Sequence, residues 1–288
     1  MNISNIDNRP DEKGTVTAWI DPEFAREHGI DTPSDGWITP PKADSPRDLP
    51  PSPRPVWGAW PTIGFGLLAI LAQFFITFLV STIFVAVEQS PSEDAESIAK
   101  SLTTNGLYVS LVVIVSAPIC IALTALFVKV REGPSLNKYL GLGPIPYMSI
   151  LKWLGITLLF MVTTSILGSL TQASESDWTE DTYRSTSYLP LLWIAVVVAA
   201  PLFEEILFRG FLLTGLRNSN LGPAGAVALT SVGWAMLHIQ YNAFGIFVIF
   251  GFGVLLGIAR LSSRSLYPPL VMHAFMNLLT MVLLQIYL

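Results

Sequence analysis

The run from Leu189 to Gly215, LPLLWIAVVVAAPLFEEILFRGFLLTG, decides the fold. A helix needs about 20 mostly apolar residues to cross the hydrocarbon core of a bilayer. This run exceeds that length, yet carries Glu204, Glu205 and Arg209 in its second half. Six further runs have the same length and polarity, at 61–87, 106–128, 150–170, 223–241, 243–261 and 267–287. They are long and continuous rather than alternating over ten residues, which argues against the strands of a barrel. The fold class expected is all-α: a polytopic membrane protein with about seven transmembrane helices, or eight, and a disordered N-terminal tail.

Composition agrees. Of 288 residues, 51% are hydrophobic and 13% charged, against about 25% charged in ordinary soluble domains. Sixteen of the charges fall within residues 1–60, ten acidic and six basic, as do ten of the 21 prolines. This excludes a soluble enzyme and a collagen-like fibre. The single cysteine, Cys120, excludes an intramolecular disulfide framework and reads as a packing residue in an apolar run. A net charge of −5 without a basic patch speaks against nucleic acid as a partner. The first ~60 residues lack a basic stretch followed by an apolar one, so no secretory signal peptide is expected. Three parts result: a polar, Pro-rich, disordered tail at 1–60, with a Pro-dense spacer at 40–55; accessory transmembrane helices at 61–170; and a polar-substituted helical core at 189–288.

Lysine and arginine in short loops set orientation. Arg47, Arg54, Lys129, Arg131, Lys138, Lys152, Arg217, Arg260 and Arg264 fall on one side of the expected spans, Lys100 and Arg184 on the other. The N-terminus is therefore expected in the cytoplasm and the C-terminus outside, in a bacterial-type plasma membrane. Trp57, Trp60, Trp153 and Trp193 lie near expected span ends and read as interfacial anchors.

Ionisable groups inside a span are costly and by default mark function. There are three clusters: Glu204-Glu205 with Arg209, Trp234 with His238, and His273 with Asn277. Glu205 and Arg209 are spaced i,i+4 and can pair on one helix surface, which lowers the cost of burying both. Glu204 points about 100° away from Glu205 and has no cation of its own at helical spacing. A paired carboxylate is mainly structural, whereas an unpaired one can exchange protons with a reacting molecule. His273 and Asn277, also i,i+4, can face one cavity. Two chemistries fit these residues. Glu204 and His238 can activate a water while His273 and Asn277 donate to the oxyanion of an acyl transfer. Alternatively, Glu204, His238 and His273 can hold a zinc ion with one open position, although no HExxH motif supports that.

At these residues the sequence resembles the CPBP family, the CAAX prenyl protease and bacteriocin-processing (Abi-type) intramembrane endopeptidases. Glu204, Glu205 and Arg209 match its Glu-Glu-x-x-x-Arg motif. His238 matches Phe-x-x-x-His, with Trp234 in place of the usual phenylalanine. His273 and Asn277 match His-x-x-x-Asn. The resemblance covers roughly 189–288. It implies an intramembrane peptidase acting on a membrane-associated protein or peptide, of the CAAX type or in bacteriocin and peptide processing. It also implies water activation by Glu204 and His238 and oxyanion stabilisation by His273 and Asn277. A glutamate mechanism is favoured over a metal-dependent one, with zinc the candidate cofactor of the latter. Two other functions fit an intramembrane Glu/His set less well: a proton-coupled transporter, and a catalytically silent membrane scaffold. By residue counting, His238 lies on the order of 10 Å deeper than Glu204 and His273, so helices must be staggered or broken. Gly210, Gly215, Gly222, Pro223 and Gly225 are placed to permit that, while Gly253 and Gly257 read as plain helix packing.

Overall fold

A computed structural model describes residues 8–10, 16–19, 23, 26, 37–38, 58–88, 98, 102–130, 135–171 and 177–288. The chain divides into two compact units, Met1–Arg54 and Pro55–Leu288. In the first, strands β1 (Asn8–Pro10), β2 (Val16–Trp19) and β3 (Trp37–Ile38) pair antiparallel in that order. Val, Thr, Trp and Ile, which favour a pleated backbone, carry this pairing within the tail expected to be disordered. The rest of that tail, including the Pro-dense stretch and Trp57, lies outside the described residues.

The second unit is helical. Its elements are α1 (Ala59–Glu88), α2 (Gly106–Val130), α3 (Leu136–Leu140), α4 (Tyr147–Thr171) and α5 (Asp177–Ser185). They are followed by the long α6 (Leu189–Leu216), α7 (Gly222–Met236), α8 (Ala243–Ser263) and α9 (Tyr267–Tyr287). Among the described residues, α1, α2, α4, α6, α8 and α9 are long and apolar enough to cross a membrane. The protein is an integral membrane protein.

The fifth expected span, 223–241, is corrected. Helix α7 has 15 residues, about 22 Å at 1.5 Å per residue, short of the ~30 Å hydrocarbon core. It stops for a local reason. The Leu237 and His238 amides bond three residues back, to Trp234 O (3.1 Å) and Ala235 O (3.0 Å), closing a tight final turn. The His238 imidazole takes Trp234 O at 2.9 Å. Asn242 then starts α8, its Oδ1 accepting from the Gly245 amide at 2.9 Å. Hydropathy counts the whole stretch as apolar and cannot see these caps. Helix α7 packs on α8 through Gly253 and Gly257, as the glycine spacing suggested. A Cβ on Gly257 would come within 2.8 Å of Val227.

Helix α6 is the centre of the bundle. Leu207, Phe208, Phe211, Leu213 and Leu216 are almost wholly buried among residues of α2, α8 and α9 such as Cys120, Phe252 and Met272, and Leu192 packs with Tyr183 and Met281. Two segments of α6 are wound as π-helix, Ile194–Ala199 and Ile206–Leu212. The first precedes Pro201, whose ring would clash with the carbonyl four residues earlier in an α-helix; the wider winding relieves that clash. π-Segments are rare and concentrate at functional sites.

Two sequence expectations change here. Arg260, read as a loop charge, lies inside α8 and is 2% exposed. It donates to Arg209 O, Leu140 O and Thr214 Oγ1. Trp153, read as an interfacial anchor, is buried in the core. The Arg260 contacts tie α3 to α6, and they depend on Gly141. Gly141 has φ +75°, and a Cβ there would lie 2.5 Å from Arg260 Nη2. Its carbonyl also accepts from the Leu266 amide at 2.8 Å. Gly141→Val is expected to cost about 2 kcal/mol or more, seen as a lower Tm of the detergent-solubilised protein. An unchanged Tm would show that this junction is dispensable.

Candidate active site

The α-helical turn Ala200–Glu205 lies between the two π-segments of α6 and presents both carboxylates. Glu205 and Arg209 pair as their spacing predicts, Arg209 Nη1 donating to Glu205 Oε1 at 2.9 Å, with both side chains fully buried. The same oxygen receives His273 Nδ1 from α9 at 2.9 Å. Arg209 Nη2 reaches Gly253 O on α8 at 3.3 Å, and its guanidinium lies 4.5 Å from the Trp234 ring centre. One buried carboxylate thus joins α6 to α9, and its cation joins α6 to α7 and α8.

Glu204, turned away from this pair, is partly exposed. Its Oε2 accepts from Trp234 Nε1 at 2.5 Å. The Trp234 ring lies 5.1 Å from His238 and 5.2 Å from His273, edge-on to both. Trp234 is therefore the hub where the three clusters meet. The depth offset expected for His238 is met by a broken helix: α7 ends beside Trp234, and His238 folds back onto it.

The partners of each imidazole identify its protonated nitrogen. A carbonyl oxygen only accepts, so His238 Nδ1, on Trp234 O, carries the hydrogen and Nε2 is left for a reacting molecule. His273 Nδ1, on the Glu205 carboxylate, donates in the same way and leaves Nε2. Asn277 lies one turn beyond His273, and its Nδ2 donates to Val196 O in the first π-segment at 2.8 Å. On the far side of His238, Tyr241 lies 6.1 Å away and carries α5 above it. The Trp178 ring is 5.5 Å from Tyr241, and Thr179 Oγ1 donates to the Tyr241 hydroxyl at 3.3 Å.

Glu204, His238 and His273 are not gathered as a zinc site in this geometry. Among the described residues no three His, Cys, Asp or Glu side chains gather to hold a metal.

Residues 186–279 match the family of type II CAAX prenyl endopeptidases, Rce1-like. This segment is similar to the Rce1-like family. The match takes in all six site residues and agrees with the motif resemblance. The chain is also 26% identical over 243 residues to an uncharacterized protein of Mycoplasma capricolum subsp. capricolum. That alignment covers 81% of this chain and 70% of the relative. No solved structure matches.

Three contacts of the Rce1-like segment were invisible to spacing rules: the Trp234 bond to Glu204, the Arg209 stack on Trp234, and the Asn277 bond to Val196 O. The one available signal was the indole at a position where the motif carries phenylalanine.

Proposed function

We propose that the chain hydrolyses a peptide bond of a membrane-associated protein or peptide by a glutamate mechanism. The observation that carries this is the Glu204–Trp234–His238 arrangement. A carboxylate and an imidazole with a free Nε2 are held to one tryptophan, the first by its indole N–H and the second by its backbone carbonyl, within a membrane-embedded helix cluster. Glu204 removes a proton from water, and His238 Nε2 holds that water by accepting its second O–H. The oxygen attacks the scissile carbonyl. The tetrahedral oxyanion takes hydrogen bonds from His273, through Nε2, and from the second N–H of the Asn277 amide. Collapse breaks the C–N bond, and the proton held by Glu204 passes to the leaving amine.

The substrate proposed is a C-terminal segment at the bilayer surface, prenylated on a cysteine or processed as a free peptide. Helices α1, α2 and α4 and the N-terminal unit are assigned to substrate choice, because they lie outside the motif-bearing segment. The lysines and arginines up to Arg217 support a cytoplasmic N-terminus, with Arg260 removed from that count by its burial and Arg264 by the loss of 223–241 as a crossing.

The test is cleavage by the purified chain in proteoliposomes of quenched-fluorescent peptides ending in Cys-aliphatic-aliphatic-X. Farnesylated and unmodified forms are compared, with and without a chelator. Cleavage that survives chelation and fails in Glu204→Gln supports the proposal; equal cleavage by Glu204→Gln overturns it. Trp234→Phe keeps an aromatic ring but deletes the N–H that holds Glu204. It is expected to lower kcat by about tenfold, with KM and Tm close to those of the parent. Unchanged kcat would remove the indole from the mechanism.

A further inference from the structure

We infer that Asn277 is a positioning residue: its amide replaces a backbone hydrogen bond that Pro201 deletes, and so holds the part of α6 that carries Glu204. The inference follows from where the hydrogen bonds of the first π-segment go. Val196 O has two regular partners along the helix, the amide of residue 200 in α geometry and that of residue 201 in π geometry. The Ala200 N–H is spent on Ala195 O. Residue 201 is proline and has no N–H. Val196 O is thus left without either regular donor, and a partly buried carbonyl needs another partner. Asn277 Nδ2 donates to it at 2.8 Å, from 81 residues away in sequence.

This contact does more than satisfy one carbonyl. Helix α9 grips α6 twice, through His273 at Glu205 Oε1 and through Asn277 at Val196 O. Pro201 and Glu204 lie between the two grips. A proline in a widened helix is a natural point of bending, and the Asn277 grip closes the open side of that bend. Loosening it lets the Glu204 carboxylate drift relative to His238, and displacements near 1 Å cost catalysis heavily. The amide has two N–H groups, so the positioning role leaves one for the oxyanion. The positioning role rests on the proposed peptidase reading only where kcat is the readout.

The experiment is a double-mutant cycle on the full chain, using Asn277→Ala, Pro201→Ala and their combination. Thermal melts in detergent need no substrate, so they test the inference even if the peptidase reading fails. Activity is read in parallel with the farnesylated Cys-aliphatic-aliphatic-X peptide. Asn277→Ala is expected to lower Tm by roughly 5 °C and kcat by about tenfold or more, with KM within about twofold of the parent. In the Pro201→Ala background, where residue 201 regains an N–H, the same substitution is expected to cost less than about half as much in Tm, while the share of the kcat loss owed to the oxyanion hydrogen bond stays in both backgrounds. If Asn277→Ala alone cannot be recovered folded, recovery of the combined variant supports the inference. Its loss, with Pro201→Ala alone folded, overturns it. Equal Tm costs in both backgrounds also overturn it, as does a fall in kcat with Tm unchanged by Asn277→Ala. The first would leave a structural contact uncoupled from Pro201, the second Asn277 acting on the reacting atoms alone.

Discussion

Glu204→Gln is expected to abolish hydrolysis while leaving the protein folded. The carboxylate is the proposed base, and proton transfer by a positioned group contributes about 10²–10⁴-fold to rate. A glutamine keeps the side-chain length and keeps an oxygen to accept from Trp234 Nε1, so the hub contact survives. It cannot take up the water proton. The measurement is kcat in proteoliposomes beside a thermal melt of the same preparation. A fall in kcat of at least about a hundredfold, with Tm held to within a few degrees, is the expected pair of results. Loss of both together would place Glu204 in the scaffold instead.

Arg209→Ala is expected to do the reverse, striking the fold first. Arg209 is fully buried and meets Glu205 Oε1, Gly253 O and the face of Trp234. Removing one partner of a buried ion pair costs about 3–5 kcal/mol, because the remaining charge is left uncompensated. Total stabilities are only about 5–15 kcal/mol. The variant is therefore expected to elute as aggregate in size-exclusion chromatography, or to melt far below the parent. The pair Glu205→Gln with Arg209→Met removes both charges together and is expected to recover part of the loss. Arg209→Lys is not expected to substitute, since an ammonium cannot make two fixed-fork contacts and stack on an indole at once. A parent-like melt for Arg209→Ala would show that the ion pair carries no structural weight.

Six of the seven expected spans were legible because a membrane span needs only length and apolarity, which composition displays. The site was legible in part for a related reason. Charges and imidazoles inside apolar runs are conspicuous, and the Glu205–Arg209 pair obeys the i,i+4 rule. What could not be read was contact between helices. The Trp234 bond to Glu204 spans 30 residues and the Asn277 bond to Val196 spans 81, and no periodicity encodes either. Arg260 sits at the end of an apolar run, where a buried cation and a loop cation look alike until its carbonyl partners are known. The end of α7 was hidden because the group that stops it is the His238 side chain, whose functional spacing drew the eye from its capping role. The π-winding of α6 had a signal in Pro201, but proline alone does not distinguish a kink from a widened turn.

The placement of the Glu205–Arg209 pair within a single helix also bears on how the protein is made. Helix α6 leaves the ribosome before α7, α8 and α9 exist, and in a two-step view each span must first enter the bilayer alone. A lone glutamate or arginine at mid-span opposes that entry. Here Glu205 and Arg209 each bring a counterion one turn away, so of the three charges of α6 only Glu204 enters lipid without one. His273 and the Gly253 carbonyl join the pair only when the later helices arrive. The group that finally ties the site together is thus also the one that lets its central helix be inserted first, and the order of synthesis becomes the order of assembly.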